Sequence, residues 1–196
     1  MLMVVLLKQE IVRKMIATQF SPSDRDSWEW KAATGKDIPD IVIMAEQLFQ
    51  SEIDSVFTPD RMFYAYNLEL AIVGQKYNKA SALLIVARHK ETKTLMAYGW
   101  LGRGSYTQYS RDEMAEAKFA HCDLALPSRT RITILAQLLE IWEAWCMLNK
   151  IPVLVSTTIR AEQTTFLKLH ERRNFVIRGS IAYKRIRYET QSKAHS

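Results

Sequence analysis

The sequence predicts an α/β domain, a central mixed β-sheet with helices on both faces, and three observations carry that prediction. From Trp28 onward, apolar runs of strand length alternate with stretches of helical spacing. A strand stopped by Pro127 feeds straight into a long helix with a wide apolar stripe. The chain has 196 residues, 48% hydrophobic and 24% charged, which suits one domain with a proper core.

Residues 1–27 form an N-terminal extension: an apolar run over 1–7, helical spacing over 10–20, then the polar, linker-like 21–27. It is apolar enough to pack, either as an added strand and helix or as a segment docking on a partner chain or a second copy. The main domain is expected over 28–187, with a frayed tail at 188–196. Residues 28–33 fit a short strand. Asp37 followed by Pro39 predicts a helix over 38–53, with Ile41, Ala45, Leu48 and Phe49 on one face. Thr58 and Pro59 form a second start signal, after which Met62, Tyr66, Leu70 and Val73 recur at helical spacing up to Gly74. Strands follow at 82–88 and 94–101, joined by a polar turn and ending in Gly102 and Gly104. A tyrosine-bearing loop over 105–112 leads to a strand over 117–126. Ser128 or Thr130 then caps the buried helix striped by Ile134, Leu135, Leu138, Ile141, Trp142, Trp145 and Leu148. A β-branched strand at 151–156, an amphipathic helix at 161–173 and a last strand or hairpin at 175–186 complete the series.

Several function classes are disfavoured. The apolar start lacks a basic region before it and a small-residue cleavage site after it, so neither a signal peptide nor a membrane span is read, and a cytoplasmic setting is the expectation. Cys122 and Cys146 lack CxxC or Cys/His spacing, so no metal site is expected. The net charge of +6 is uneven. Arg172, Arg173, Arg178, Lys184, Arg185 and Arg187 crowd the end of the domain, a cluster that is either a solvated face or an anion site, with nucleic acid the less favoured partner.

Three segments carry a resemblance. Residues 39–52, followed by Phe57-Thr58-Pro59-Asp60, are similar to the first two helices of the GNAT superfamily of acetyltransferases, its phage-encoded members in particular. Residues 119–127 with Trp142-Glu143-Ala144-Trp145 resemble its central strand and the helix behind it. Residues 166–175, ending His170-Glu171-Arg172-Arg173-Asn174-Phe175, look like its last helix.

The resemblance implies an acetyl-CoA-dependent N-acetyltransferase acting on an amine of a small molecule or protein. The alternative is a non-catalytic GNAT-fold structural or binding module, such as a phage virion or assembly protein in the host cytoplasm or virion. The cofactor would dock beside Leu124 and Leu126 and on the loop and helix start formed by Ser128, Arg129, Thr130, Arg131 and Thr133, where orphan N–H groups and the helix dipole favour a pyrophosphate. Arg129 matches the family's loop, but Ile132 and Ile134 stand where glycines are expected, and β-branched side chains there would fill the phosphate's space. His170 takes the place of the tyrosine that protonates the departing thiolate. Among Asp112, Glu113, Glu116, His121 and Asp123, the general base is assigned to Asp123, which sits in an otherwise apolar run. Tyr106 and Tyr109, beside the glycines, are candidates to line a substrate mouth. Asn174 is suited to a left-handed helix cap in place of glycine.

Overall fold

The computed structural model describes residues 27–49, 57–158 and 163–178. Its elements run β1 (Trp28–Ala32), a 3-10 turn (Gly35–Asp37), α1 (Ile38–Leu48), α2 (Arg61–Tyr77), β2 (Ala82–His89), β3 (Leu95–Ser105), β4 (Met114–Cys122), α3 (Ser128–Leu148), β5 (Val153–Val155) and α4 (Thr164–Glu171). The five strands form one sheet in sequence order. β1 to β4 pair antiparallel, and β5 joins parallel to β4 through the α3 crossover. The expected mixed sheet with helices on both faces is what the chain adopts.

α1 and α2 cover one face. Ile41, Met44, Ala45 and Leu68 meet Leu84, Val86 and Tyr98 there, and all are buried. α3 covers the other, setting Leu138, Leu139, Trp142 and Trp145 against Ile85, Leu101 and Ala115. Gly99 lets this helix come close, since a Cβ at that position would lie 2.4 Å from Leu138 Cδ1. Gln137, buried in α3, accepts hydrogen bonds from the indole N–H groups of Trp28 at 2.8 Å and Trp30 at 3.1 Å, tying the edge strand β1 to the helix.

Two features of α2 differ from expectation. Its cap is Asp60, not Thr58: the Asp60 carboxylate accepts from the N–H groups of Met62 and Phe63, so the helix starts at Arg61. The stripe of Met62, Tyr66, Leu70 and Val73 is exposed, while Leu68 and Ala71 face the core. The helix is apolar on two sides, and the side carrying Tyr64, Leu68, Ala71 and Ile72 is the one packed against the core.

Boundaries also move. β3 runs on through Gly102 and Gly104 to Ser105, with Gly104 at φ 93°. β4 occupies Met114–Cys122 rather than 117–126, and β5 shortens to Val153–Val155. Pro127 stands at the cap position of α3, and Leu148, read as part of the stripe, is exposed. Asn174 takes φ 60°, the left-handed conformation expected of it. The extension 1–26, most of the predicted last strand and the tail lie outside the described residues, and 175–178 contain no strand.

Candidate functional site

The parallel β4–β5 pair is short. β5 pairs only with Met114, Ala115 and Glu116, whereas β4 continues to Cys122 against β3. Among the described residues, the β5 side of 117–122 has no strand partner. A bulge sits at the point of divergence: Trp100 opposes Phe119 and Leu101 opposes Ala117, which leaves Lys118 as the extra residue. Such a bulge bends a strand and ends pairing. β4 and β5 therefore part after Glu116, and among the described residues β4 runs on alone on that side to Cys122, with five residues between it and α3.

The first turn of α3 supplies donors. The Arg131 N–H is taken by the Pro127 carbonyl at 3.0 Å, and helix geometry leaves the N–H groups of Ser128, Arg129 and Thr130 without an intrahelical acceptor. Ser128 and Arg129 are exposed and Thr130 is half-buried. Arg131 donates from Nη2 to Ser128 Oγ at 3.0 Å, placing its charge over the same turn. Thr133 is buried and donates to the Arg129 carbonyl at 3.0 Å, so its hydroxyl is spent inside the helix. Leu126 packs beside Ile134 and Cys122, and Leu124 is 40% exposed. Ile134 is fully buried in the core, and Ile132 is 39% exposed on the surface. These donors and charges fit an anion, and Ile134 is packed into the core away from them.

His170 is 4% exposed on α4 and hydrogen-bonded at both ring nitrogens, Nδ1 to the Phe166 carbonyl at 2.8 Å and Nε2 to Ser156 Oγ at 2.9 Å. Burial pushes its pKa below the usual value, and the Phe166 bond offsets only part of that. Since a carbonyl only accepts, Nδ1 carries the proton and Nε2 is the acceptor. An acid toward a thiolate would need the opposite state at Nε2. Ser156, which the sequence reading treats only as the end of a strand, is the group beside it.

Arg173 anchors this helix, pairing with Glu143 through Nε and Nη2 at 3.1 and 2.9 Å and with Glu140 at 2.8 Å. Of the basic cluster, Arg173 is paired with α3, Arg172 and Arg178 are exposed, and Lys184, Arg185 and Arg187 lie outside the described residues.

The candidate bases are scattered. Asp123 is not within an apolar strand, because β4 stops at Cys122. It begins the turn into α3, accepting from the Ala125 N–H at 3.0 Å and bordering a shallow groove with Arg88 and Lys93. Glu113 holds Arg103 in a two-point pair at 2.6 and 2.5 Å, and Glu116 bonds Lys118 at 2.6 Å. Asp112 is exposed. His121 is buried beside Tyr98 in an aromatic group where Tyr98 and Phe119 stack at 5.4 Å and Tyr64 donates to the Tyr98 hydroxyl at 3.1 Å. Tyr106 and Tyr109 are exposed on the loop between β3 and β4, at 57% and 89%. Burial pushes the Cys146 thiol up to about 11, which makes it inert. Among the described residues, no group of three or more His, Cys, Asp or Glu is placed to hold a metal ion, and no helix is long and apolar enough to cross a membrane.

No protein-family model and no curated protein matches the chain. Solved structures do. An aminoglycoside 6'-N-acetyltransferase from Acinetobacter baumannii aligns with TM-score 0.59 at 12% identity, over 82% of this chain and 99% of that one. Glucosamine-6-phosphate N-acetyltransferase from Arabidopsis thaliana aligns with TM-score 0.60 at 10% identity, over 81% and 97%. AAC(6')-Iy, solved with the bisubstrate analogue CoA-S-monomethyl-acetylneamine, aligns with TM-score 0.61 at 13% identity, over 82% and 99%. The structural neighbours of this chain are GNAT-fold N-acetyltransferases, and the mixed sheet of its described residues, five strands, has their fold.

Proposed function

We propose that the protein is an acetyl-CoA-dependent N-acetyltransferase acting on an amine of a small molecule or protein. Fold alone does not carry function, so the reading rests on one local observation: β4 and β5 part after Glu116, and the stretch of β4 beyond it runs on to Cys122 beside the open first turn of α3. The Ser128, Arg129 and Thr130 N–H groups, with the charges of Arg129 and Arg131, hold the pyrophosphate in this reading. Leu124 and Leu126 flank its approach from the end of β4. Bound there, the cofactor supplies an activated acetyl thioester. The chain's own part is to orient that group in the gap, exclude water from it and move one proton from the amine side to the thiol side. Tyr106 and Tyr109 are the residues proposed to meet the acceptor, and Asp123, next to the α3 turn, is kept as a proposed base. The acceptors named for the neighbours, an aminoglycoside and glucosamine 6-phosphate, define the class to screen first.

Calorimetry with acetyl-CoA and with CoA at moderate salt tests the assignment. Saturable binding that Ile132→Asp weakens by about tenfold or more, while Tyr106→Ala leaves it unchanged, is expected, because a carboxylate one turn into α3 repels the phosphates. Absence of saturable binding to the folded protein sinks the reading.

A further inference from the structure

We propose that Ser156 and His170 form a nucleophile–base pair, a serine hydroxyl activated for acyl transfer where β5 leaves β4, with small acyl esters and thioesters as its substrate class. Val155 makes the last rung with Glu116, so Ser156 is the first residue past the parallel ladder. Side chains alternate along a strand, which puts Ser156 on the same face as Leu154, the face packed by α3 and α4. From that side His170 meets it at 2.9 Å.

Three features make this more than a buried hydrogen bond. The Phe166 carbonyl fixes the Nδ1–H tautomer, so the Ser156 hydroxyl donates to Nε2, which is the direction a general base requires. The imidazole is held between the rings of Phe166, centroid 3.9 Å away, and Phe175, 4.8 Å away. His170 is 4% exposed and Ser156 is half-buried, so the serine is the more accessible residue of the two. Nucleophile, base and an orienting third group are the parts that covalent acyl transfer needs, with a backbone carbonyl here in the orienting place.

The step balances without a further reactant. Ser156 Oγ attacks the acyl carbonyl carbon as its proton passes to His170 Nε2. The new C–O bond persists when the bond to the leaving oxygen or sulfur breaks, and that group takes the proton back from the imidazolium. Water, deprotonated by the same Nε2, then releases the carboxylic acid and restores the hydroxyl.

The test uses the full chain and p-nitrophenyl acetate. A nitrophenolate burst of about one equivalent is expected, as is the mass of one acetyl group mapped to the peptide containing Ser156. Ser156→Ala abolishes the burst and the mapped acetyl, with unchanged circular dichroism. His170→Asn keeps a donor for the Phe166 carbonyl but removes the acceptor for the serine, and slows the burst by on the order of 100-fold. Should that variant fail to fold, the wild-type burst rate against pH replaces it, rising to a plateau with a midpoint below the ordinary histidine value. Lack of a burst in folded wild type, or acetylation that persists in Ser156→Ala, overturns the proposal. Acetyl-CoA is absent from this assay, so failure of the transferase reading leaves the expected burst in place, and the reverse holds.

Discussion

Replacing Gln137 by Leu measures how much the α3 crossover depends on one buried acceptor. Gln137 is 3% exposed, and its Oε1 receives both indole N–H groups of β1. Leucine has nearly the same volume and lacks the oxygen. Trp28 is 4% exposed, so its N–H loses its partner without reaching water, a cost of about 1–3 kcal/mol. Trp30 is half-buried and rehydrates in part, losing about 0.5–1.5 kcal/mol. Exchanging a buried amide for methyl groups returns roughly 1 kcal/mol. The sum is a destabilisation of about 2 kcal/mol, equivalent to a fall in Tm of about 4–8 °C for a domain of this size. Urea unfolding followed by tryptophan fluorescence reads it as a lower midpoint at constant slope. A midpoint within about 0.3 kcal/mol of wild type refutes the argument, since it would mean that two desolvated indoles need no acceptor.

Two other predictions bear on the same framework. Gly99→Ala puts a methyl 2.4 Å from one Leu138 methyl and 2.9 Å from the other, and Leu138 is 1% exposed, so about 1–3 kcal/mol is lost. In chemical denaturation the double variant with Leu138→Val is expected to cost less than the two single losses added, and strict additivity refutes the contact. Burial pushes the Asp37 carboxyl up, but the Thr34 N–H and hydroxyl and the Arg88 guanidinium outweigh it and hold the pKa below the ordinary value of 3.8. The unfolded chain therefore binds a proton there first as pH falls, so this stability is present above the ordinary value and lost as pH drops through the folded one. Arg88→Met, compared with wild type from neutral pH to pH 2, is expected to show a shallower acid loss, and parallel curves count against the pair.

The layered order of elements was legible because burial on two faces leaves continuous apolar runs. Ala82–His89 is such a strand, and Ile134, Leu138 and Trp142 recur as a helix under a sheet must. The facing of α2 was not legible. Periodicity finds apolar stripes but cannot rank two of them: Met62, Tyr66, Leu70 and Val73 recur as regularly as Tyr64, Leu68, Ala71 and Ile72, and only the second set meets the core. The Asp60 cap was hidden by Thr58-Pro59 two residues earlier, an equally good signal on paper. Asp123 was misplaced for a related reason, since an apolar run does not show where a ladder ends, and its Asx turn is visible only once Cys122 closes β4. Ser156 and His170 lie on different elements 14 residues apart, and no local spacing announces a pair brought together by a helix packing across a strand end.

The same distinction between spacing and facing decides what the missing glycines mean. In a loop that wraps a phosphate, a glycine is needed where the backbone turns to positive φ or where an anion comes within reach of Cβ. Here the helix has already begun at Ser128, so positions 132 and 134 lie in its second turn, and neither takes positive φ. Two residues apart on a helix is roughly 200° around its axis. Ile134 accordingly points into the core with Trp28, Ala97 and Cys122, and Ile132 points to the surface. Ile134 is thereby turned away from the three N–H groups at 128–130 that have no intrahelical acceptor, while Ile132 lies exposed one turn on. On the proposed cofactor reading, the pyrophosphate would therefore meet a helix start at Ser128 rather than a wrapped loop. An anion held there would be gripped by axial donors and by Arg129 and Arg131 rather than enclosed by backbone, so its affinity would depend more steeply on salt than an enclosed site's.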